Sequence, residues 1–277
     1  MDVIHSVTEL RARLAREPNN VFVPTMGNLH DGHIQLVDNA KPRGACTVVS
    51  IFVNRMQFGP KDDFDKYPRT FMADRDKLRA AGCDVVFMPD EKEIYPEPQT
   101  YAVEPPDIQH ILDGAVRPGH FRGVATVVLK LFNMVQPKAA IFGKKDYQQC
   151  IVLKNMVRQL ALPIDIILAD TVRAEDGLAL SSRNGYLSAS ERKEAPRLYQ
   201  VLTRARDEIA AGKHDFQRIE LQGMAELAGH GWKPDYIAVR RQNDLAVPEV
   251  HDRNLVIVAA ARLGVTRLID NLELTLR

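Results

Sequence analysis

The sequence predicts an α/β protein in which a parallel β-sheet, covered by helices on both faces, is followed by a smaller α+β unit. Two observations indicate this class. Apolar and β-branched runs alternate with segments of helical period until about Asp170, and a different pattern begins there. Because strands that alternate with helices form right-handed crossovers in a parallel sheet, we expect a first domain at residues 1–170 and a second domain at residues 171–277.

Each strand of the sheet is predicted from a short run that is apolar on both faces, as the central strands of parallel sheets are. These runs are residues 21–23, 47–53, 85–88, 139–142 and 164–168. The amphipathic segments between them predict helices, which end at a glycine cap or before a proline. These segments are residues 70–81, 124–135 and 146–160.

After residue 170 the chain is polar and rich in turns through residue 186. Ser188 and Glu191 then form the pattern of a capping box, which predicts a long helix through about residue 211. A further helix is expected at residues 216–229, and strands are expected at residues 236–240 and 255–261. These elements make up the smaller α+β unit.

The composition excludes several classes of protein. Among 277 residues there are 16 Gly and 16 Pro, which is ordinary for globular chains and excludes disordered, collagen-like and coiled-coil proteins. Lys and Arg total 37 against 36 Asp and Glu, so the net charge of +1 provides no broad field for nucleic acid or an anionic membrane. Any anion that this protein binds must therefore be held locally.

The three cysteines, Cys46, Cys83 and Cys150, lack the paired spacing of a zinc site or a disulfide framework, so we expect buried small hydrophobic residues. Residues 1–16 carry several charges where a secretory signal would be apolar. The longest wholly apolar run, residues 255–261, is too short to span a bilayer. A cytoplasmic protein that does not enter a membrane is expected.

The first candidate site follows the first predicted strand, where residues 24–33 read Pro-Thr-Met-Gly-Asn-Leu-His-Asp-Gly-His before a helical segment at residues 34–40. Gly27 and Gly32 allow the backbone to approach a ligand closely. His30 and His33 are expected on one face of the first helical turn, whose N–H groups and dipole favour phosphate. The nucleotide-binding patterns GxGxxG and GxxxxGK[ST] are both missing from the sequence.

Zinc binding is a weaker interpretation of this histidine pair. The histidines of helical metalloproteases are four residues apart with a glutamate beside the first, and no third ligand is evident here. A single histidine in such a place is more often an ordinary surface or core residue. Two histidines that flank Asp-Gly at a strand-to-helix turn favour a binding site instead.

Two further clusters lie later in the chain. At the carboxyl end of a predicted strand, where open α/β sheets bind ligands, Lys145 could hold a phosphate and Gln149 could bind hydroxyl groups or a carboxylate. Ser181, Ser182 and Arg183 lie in a polar turn and are suited to a polyphosphate. Each cluster alone is also typical of a solvated loop.

Taken together, the motifs resemble the nucleotidyltransferase superfamily and, more closely, the pantothenate synthetase family. The matching segments, in family order, are residues 24–33, 50–54 with 57–58, 67–70, 117–124, 143–149 and 176–184, with a fainter likeness at 255–272. The resemblance implies a Rossmann-like nucleotidyltransferase domain that binds ATP and pantoate, followed by a smaller α+β lid domain. It also suggests a homodimer formed through the first domain.

The activity implied by the resemblance is an ATP-dependent ligation of pantoate to β-alanine through a pantoyl adenylate, with release of pyrophosphate and then AMP. His33, as proton donor, and His30, Lys145 and Arg183 would be catalytic and, with Mg²⁺, would stabilise the developing charge. Gln57 and Gln149 would hold pantoate. The implied ATP-binding residues are Met26, Gly27, Asn28, Leu29, His30, Asp31, Gly32, His33, Gly143, Lys144, Lys145, Asp146, Val172, Leu180, Ser181, Ser182 and Arg183.

One position departs from the family pattern. The family has proline where this chain has Arg55, so the approach to Gln57 could be looser and carry an extra cation. The alternative is that Arg55 points to solvent and has little effect. The sequence does not identify the Mg²⁺ ligands, for which Asp74 and Asp76 are candidates.

Two other functions fit parts of the sequence. A simple nucleotidyltransferase acting on a phosphorylated acceptor would release pyrophosphate without AMP, but it leaves Gln57, Gln149 and the motif at residues 117–124 unexplained. A nucleotide- or RNA-binding module that has lost catalysis is the other. The net charge of +1, without a basic stripe and interleaved aromatic residues, counts against RNA.

Overall fold

A computed structural model describes residues 1–60 and 62–276, and the chain divides into two compact units. The first unit comprises Met1–Gly143 and Val152–Asp170. The second comprises Lys144–Ile151 and Thr171–Arg277. The short segment 144–151, which follows the fifth strand, therefore groups with the C-terminal part of the chain.

The first unit is built on a six-stranded parallel sheet with the strand order β1-β4-β3-β2-β5-β6. Its strands are β1 (Asp2–Ile4), β2 (Asn20–Thr25), β3 (Cys46–Ile51), β4 (Val85–Phe87), β5 (Ala139–Gly143) and β6 (Asp165–Ala169). The chain builds outward from β2 in both directions, so the strand order reverses between β2 and β5. Open α/β sheets bind ligands beyond the carboxyl ends of the strands at such a point.

The helices between these strands are α1 (Val7–Leu14), α2 (Asp31–Ala40), α3 (Phe71–Ala80), α4 (Glu91–Ile94), α5 (Leu112–Val116), α6 (His120–Val135) and α7 (Tyr147–Gln159). On one face of the sheet, Val21, Val49 and Ile141 pack with Val37 of α2 and Leu78 of α3. All five are at most 1% exposed, and burial of each such side chain contributes about 1.5–3 kcal/mol. No helix in residues 1–60 and 62–276 is long and apolar enough to cross a membrane.

The second unit contains an antiparallel sheet of β7 (Lys233–Arg241), β8 (Asn254–Leu263) and β9 (Thr266–Thr275). Its helices are α8 (Ala189–Glu194), α9 (Arg197–Ala210) and α10 (Phe216–Gly229). The core combines Leu202 and Ile209 of α9 with Ile257 of β8 and the single tryptophan, Trp232. The predicted fold class, a parallel sheet domain followed by a smaller α+β part, is confirmed.

Most predicted element bounds are shifted by a few residues, and four of the differences have structural consequences. The helix expected from 188 to 211 is interrupted, because Pro196 has no N–H to donate and α9 begins only after it. Helix α6 begins four residues earlier than expected, at His120, directly after the left-handed Gly119 with φ of 80°. Strand β3 ends at Ile51 rather than at residue 53, and α7 begins after a 3-10 turn at Lys144–Asp146.

Candidate active site

The loop after β2 is a sharp turn that leads into helix α2. Gly27 and Asn28 both have left-handed backbone angles, with φ of 79° and 51°. A Cβ at Gly27 would lie 3.0 Å from Ile51 Cγ2 and 3.1 Å from Asp74 Oδ2, so the turn requires glycine there. Thr25 Oγ1 accepts the Gly27 N–H at 3.2 Å and donates to the Ser50 carbonyl at 2.7 Å.

Helix α3 holds this loop from the side. Asp74 is 1% exposed, and its carboxylate accepts the backbone N–H of Asn28 at 2.9 Å and that of Leu29 at 2.7 Å. The same carboxylate accepts the Thr70 hydroxyl at 3.1 Å. Lys77 Nζ donates to the Leu29 carbonyl at 2.5 Å. Residues 27–29 are therefore held through their backbone N–H groups and through the Leu29 carbonyl.

His30 and His33 form a reciprocal cap at the start of α2. His30 Nδ1 accepts the Gly32 N–H at 3.1 Å, and His33 Nδ1 accepts the His30 N–H at 3.3 Å. Their ring centroids are 4.1 Å apart. His30 is thus the N-cap residue. The spacing of the two histidines had predicted His30 within the first helical turn, and that placement is wrong. Because both Nδ1 atoms are acceptors, each neutral ring carries its proton on Nε2.

Gln57 lies in a 3-10 turn, Arg55–Gln57, and is 9% exposed. Its Oε1 accepts from Asn54 Nδ2 at 3.1 Å, and its Nε2 donates to Met26 Sδ at 3.2 Å. Asn54 Nδ2 also donates to the Gly123 carbonyl at 3.2 Å, and Tyr95 donates from its hydroxyl to Asn54 Oδ1 at 2.8 Å. Sequence reasoning did not assign a role to Asn54 or Tyr95.

The motif at residues 117–124 holds the backbone of Gln57. His120 Nδ1 lies 2.8 Å from the Gln57 carbonyl, and Arg117 Nη1 lies 3.0 Å from His120 Nε2. A guanidinium only donates, so His120 accepts at Nε2 and donates to Gln57 from Nδ1. A Cβ at Gly123 would lie 2.3 Å from the Met56 carbonyl, which explains the glycine where α6 meets this turn.

Arg117 also forms an ion pair with Asp62, with 3.0 Å between Nη2 and Oδ2. Burial opposes ionisation of this carboxyl, but the Gly59 N–H and Arg117 outweigh it, so the pKa of Asp62 lies below its ordinary value. The ion pair fixes the guanidinium that orients His120.

Arg55 folds over an aromatic ring on the outside of this turn. Its Cζ lies 3.9 Å from the Phe64 ring centroid, its Nε lies 3.8 Å from Glu91 Oε1, and the side chain is 59% exposed. The turn keeps its hydrogen bond from the Gln57 N–H to the Asn54 carbonyl, at 3.3 Å. The approach to Gln57 is therefore retained without the proline.

A cleft of about 270 Å³ opens beyond the carboxyl ends of β2, β3 and β4 in the first unit. Its lining includes Gly27, Val53, Phe64, Arg69 and Asp74. Met26 and Gly27 of the loop before the histidines line this cleft, whereas its lining does not include His30, His33 or Gln57.

In the second unit, strand β9 holds the lysine turn at 144–146. Asn271 Nδ2 donates to the carbonyls of Lys144 and Lys145 at 2.8 and 3.0 Å. Lys144 Nζ pairs with Glu273 Oε2 at 2.7 Å, and the Tyr147 hydroxyl donates to Glu273 Oε1 at 2.9 Å. Burial and the Glu273 carboxylate raise the pKa of Tyr147, which keeps the phenol protonated as a donor.

Both lysines form ion pairs, but that of Lys144 with Glu273 is shorter, at 2.7 Å, than that of Lys145 with its neighbour Asp146, at 3.3 Å. Gln149 is half-buried in the first turn of α7. Gly143, the last residue of β5, belongs to the first unit.

The segment that contains the serine pair is also anchored on β9. The Leu180 N–H donates to the Val172 carbonyl at 2.9 Å, and Ser181 Oγ caps the 3-10 turn Ser182–Tyr186 by accepting the Arg183 N–H at 3.3 Å. Arg173 makes a bidentate pair with Asp270, at 2.6 and 2.8 Å. Val172 and residues 180–183 therefore lie in one segment, which is held together by the Leu180–Val172 hydrogen bond and attached to β9 by the Arg173–Asp270 ion pair.

These contacts place the predicted residues in two groups. The first unit brings together Met26 and Gln57, and it places His30 and His33 at the end of the same loop. The second unit attaches both the lysine turn and the serine turn to β9.

A family model described as pantoate-beta-alanine ligase matches residues 2–273. The chain belongs to the pantoate-beta-alanine ligase family. The resemblance inferred from the ordered motifs is thereby confirmed, and with it the assignment of the chain as a ligase.

Curated relatives of this ligase cover its whole length. A pantothenate synthetase of Neisseria meningitidis serogroup C / serotype 2a is 56% identical over 277 residues, which is 100% of both chains. A pantothenate synthetase of Laribacter hongkongensis is 54% identical over 275 residues, 99% of both chains.

Solved structures are also similar to this ligase. Pantothenate synthetase from Thermus thermophilus matches with a TM-score of 0.94 and 44% identity, covering 98% of this chain and 99% of that one. The pantoate-beta-alanine ligase of Francisella tularensis, complexed with beta-gamma ATP and beta-alanine, matches with a TM-score of 0.84 and 34% identity. It covers 98% of this chain and 97% of the other.

Asp74 and Asp76, the two acidic candidates for Mg²⁺ binding, are both occupied by other contacts in this ligase. Asp74 accepts two backbone N–H groups, and Asp76 pairs with Arg75 and Arg79 on the surface. Within the described part of the chain, no three His, Cys, Asp or Glu side chains come together as metal ligands. The described side chains therefore do not fit a protein-built Mg²⁺ site.

Proposed function

We propose that this ligase condenses pantoate with β-alanine, using ATP, through an enzyme-bound pantoyl adenylate. Full-length relatives that are named pantothenate synthetases support the reaction, and the Francisella tularensis ligase, complexed with ATP and beta-alanine, supports the substrates. The single structural observation that favours it is Gln57, a buried neutral amide fixed beside Met26 of the histidine loop. A neutral donor can hold a carboxylate without pairing so tightly that its nucleophilicity is lost.

In the first half-reaction, a carboxylate oxygen of pantoate attacks the α-phosphorus of ATP and pyrophosphate leaves. His30 and His33 would stabilise the charge on the phosphate oxygens through their Nε2–H groups. Lys145, Arg183, Ser181 and Ser182 would bind the departing pyrophosphate. Because its Nδ1 accepts the His30 N–H, His33 would donate a hydrogen bond to the phosphate oxygens from Nε2–H, in place of the full proton transfer expected from the resemblance.

In the second half-reaction, the amine of β-alanine attacks the acyl carbonyl carbon and the bond to AMP breaks. The amine would bind in its deprotonated form and lose a proton as the amide forms. Gln57 and Gln149 would hold the pantoyl group. The serine turn would shield the adenylate from water, which would otherwise hydrolyse it.

Several finer assignments are part of the proposal. ATP would contact residues 26–33 and 143–146, Val172 and residues 180–183. Lys144 would contribute mainly through its backbone, because its charge is paired with Glu273. Mg²⁺ would enter with ATP, held by phosphate oxygens and water. A homodimer formed through the first domain and a cytoplasmic location complete the proposal.

An exchange assay tests this function. Purified protein with Mg²⁺ should exchange labelled pyrophosphate into ATP when pantoate is present and β-alanine is absent. AMP should form only after β-alanine is added. Pyrophosphate release without AMP would support a simple nucleotidyltransferase instead, and the absence of both signals would refute the ligase reaction.

A further inference from the structure

Three side chains of the first unit form a hydrogen-bonded chain that ends at Gln57. The Tyr95 hydroxyl lies 2.8 Å from Asn54 Oδ1, and Asn54 Nδ2 lies 3.1 Å from Gln57 Oε1. Asn54 is 1% exposed and Gln57 is 9% exposed. Neither Tyr95 nor Asn54 has a role in the chemistry described above.

The Gly123 carbonyl sets which side-chain atoms donate and which accept along these hydrogen bonds. Asn54 Nδ2 lies 3.2 Å from the Gly123 carbonyl, which can only accept a hydrogen bond. The Asn54 amide must therefore present its NH₂ toward Gly123, and the same NH₂ faces Gln57. Gln57 Oε1 must accept, so the other end of the Gln57 amide, its NH₂, is the end presented beside Met26.

Tyr95 secures the opposite end of Asn54. Its hydroxyl donates to Oδ1, and burial, with the nearby Glu91 carboxylate, raises the pKa of the phenol above its ordinary value. The Tyr95 hydroxyl therefore stays protonated at alkaline pH and remains a hydrogen-bond donor. The ring has contacts of its own, 6.2 Å from the Phe52 ring and 4.7 Å from Lys130 Nζ, which a phenylalanine would retain.

The backbone of Gln57 is fixed separately, by His120 and Arg117 at its carbonyl. Rotation of the whole residue is thus restrained independently of its side-chain amide. Only the orientation of the amide depends on Asn54 and Tyr95.

We propose that Tyr95 and Asn54 are positioning residues that fix Gln57 as a hydrogen-bond donor, so that this subsite selects a ligand oxygen that accepts. The subsite favours a carboxylate or hydroxyl oxygen and rejects a group that offers only N–H. The identity of that ligand as pantoate rests on the proposed function, but the polarity of Gln57 does not.

Asn54→Asp is the sharpest test, because a carboxylate cannot donate to Gln57 Oε1 and instead accepts from the Gln57 NH₂. The Gln57 amide is expected to reverse, and the KM for pantoate should rise roughly 10- to 100-fold at pH 8, with the KM for ATP unchanged. Acidification should partly restore the KM for pantoate, since a protonated carboxyl can donate again. A pantoate KM equal to that of the wild type across pH 5.5–9 would overturn the proposal.

Tyr95→Phe provides a second variant, which keeps the ring and removes only the hydroxyl. Its pantoate KM should rise by about 3- to 10-fold while kcat changes little. Tyr101→Phe is the matched control, because Tyr101 is 87% exposed and its KM for pantoate should be unaffected. Equal effects of the two substitutions would count against a role for Tyr95.

A measurement without substrate separates this proposal from the proposed function. The ¹⁵N-labelled side-chain amide of Gln57, assigned by its loss in Gln57→Glu, should shift in Asn54→Asp and remain in place in Tyr101→Phe. An unchanged signal in Asn54→Asp would refute the orientation of Gln57 even if the wild type makes pantothenate. If the signal shifts in Asn54→Asp but the wild-type protein shows no pyrophosphate exchange, only the proposed reaction is refuted.

Discussion

Asp74 Oδ1 accepts the backbone N–H of Leu29 at 2.7 Å, across 45 residues of sequence. The other carboxylate oxygen accepts the N–H of Asn28, whose φ is 51°. A side chain of α3 thus determines the shape of the loop that ends at His30. An acidic residue that was a candidate for binding Mg²⁺ is instead used to hold backbone N–H groups.

Asp74→Asn should weaken both the fold and the reaction. An amide offers one acceptor oxygen, so one of the two buried N–H groups would lose its partner at a cost of about 1–3 kcal/mol in the free energy of unfolding. Displacement of the loop should slow pyrophosphate exchange about 10- to 100-fold. Urea unfolding and the exchange assay measure these effects.

Asp76→Asn is the matched control for that experiment, because Asp76 is on the same helix but exposed and paired with Arg75 and Arg79 on the surface. Its stability should stay within about 0.5 kcal/mol of the wild type. If Asp74→Asn behaved like Asp76→Asn, the clamp on the loop would be unimportant.

Two substitutions of His33 should separate its capping role from its proposed catalytic role. Glutamine at the third helical position can accept the His30 N–H as the imidazole does, so His33→Gln should keep most of the stability. His33→Ala removes this acceptor, so its free energy of unfolding should fall by about 1 kcal/mol. Both variants should slow adenylation by about 100-fold or more, measured by exchange and compared with thermal unfolding. Near-normal exchange in either variant would refute the assigned role.

The two adjacent lysines should respond differently to substitution. Lys145→Met is expected to slow adenylation about 100-fold, because a cation near the triphosphate would be lost. Lys144→Met removes a charge already paired with Glu273 and should change the rate by no more than about fivefold. Single-turnover measurements of pyrophosphate release compare them. A larger loss with Lys144→Met would reverse the assignment.

The cysteines should resist alkylation in the folded protein. All three are free and buried, as the sequence predicts, and burial raises the pKa of Cys46 to about 11 and that of Cys83 to about 12. At pH 8 the thiolate fractions would be about 0.1% and 0.01%. Iodoacetamide followed by mass spectrometry should detect no modification in buffer and three modified thiols in urea. Rapid modification of the folded chain would contradict this.

The same shifts predict a dependence of stability on pH. Since the pKa of each thiol is higher in the folded state, the unfolded state loses its protons first as the pH rises. The contribution of these groups is complete below about pH 8.5 and is lost as the pH rises toward 11–12. Cys83→Ala should flatten the decline in unfolding free energy above pH 9.

Most of the parallel sheet could be predicted because its strands are buried on both faces and therefore show as apolar runs. Strand β1, Asp2–Ile4, was missed because only Ile4 is buried, so the segment does not show as an apolar run. Strand β9 was missed because its polar residues, among them Asp270, Asn271 and Glu273, hide the apolar alternation. Those residues are polar because they hold the lysine and serine turns, which only the tertiary structure shows.

The candidate site, like the fold, could be predicted where its residues are close in sequence and could not be predicted where they are far apart. The histidine motif could be found because its residues are local, a strand-to-helix turn with glycines and two histidines. Its capping role was not evident, because histidine is not among the usual N-cap residues. The contributions of Asp74, Tyr95 and Glu273 depend on partners 41 to 129 residues away, and one sequence contains no signal for such pairing.

The attachment of the lysine turn to β9 has a consequence during protein synthesis. Asn271 and Glu273 are made more than 120 residues after Lys144 and Lys145. Nascent chains fold from the N-terminus, so the parallel sheet can form while this turn still lacks its partners. A chain that stopped before Asn271 would therefore contain every strand of the parallel sheet but leave the lysine turn without these partners.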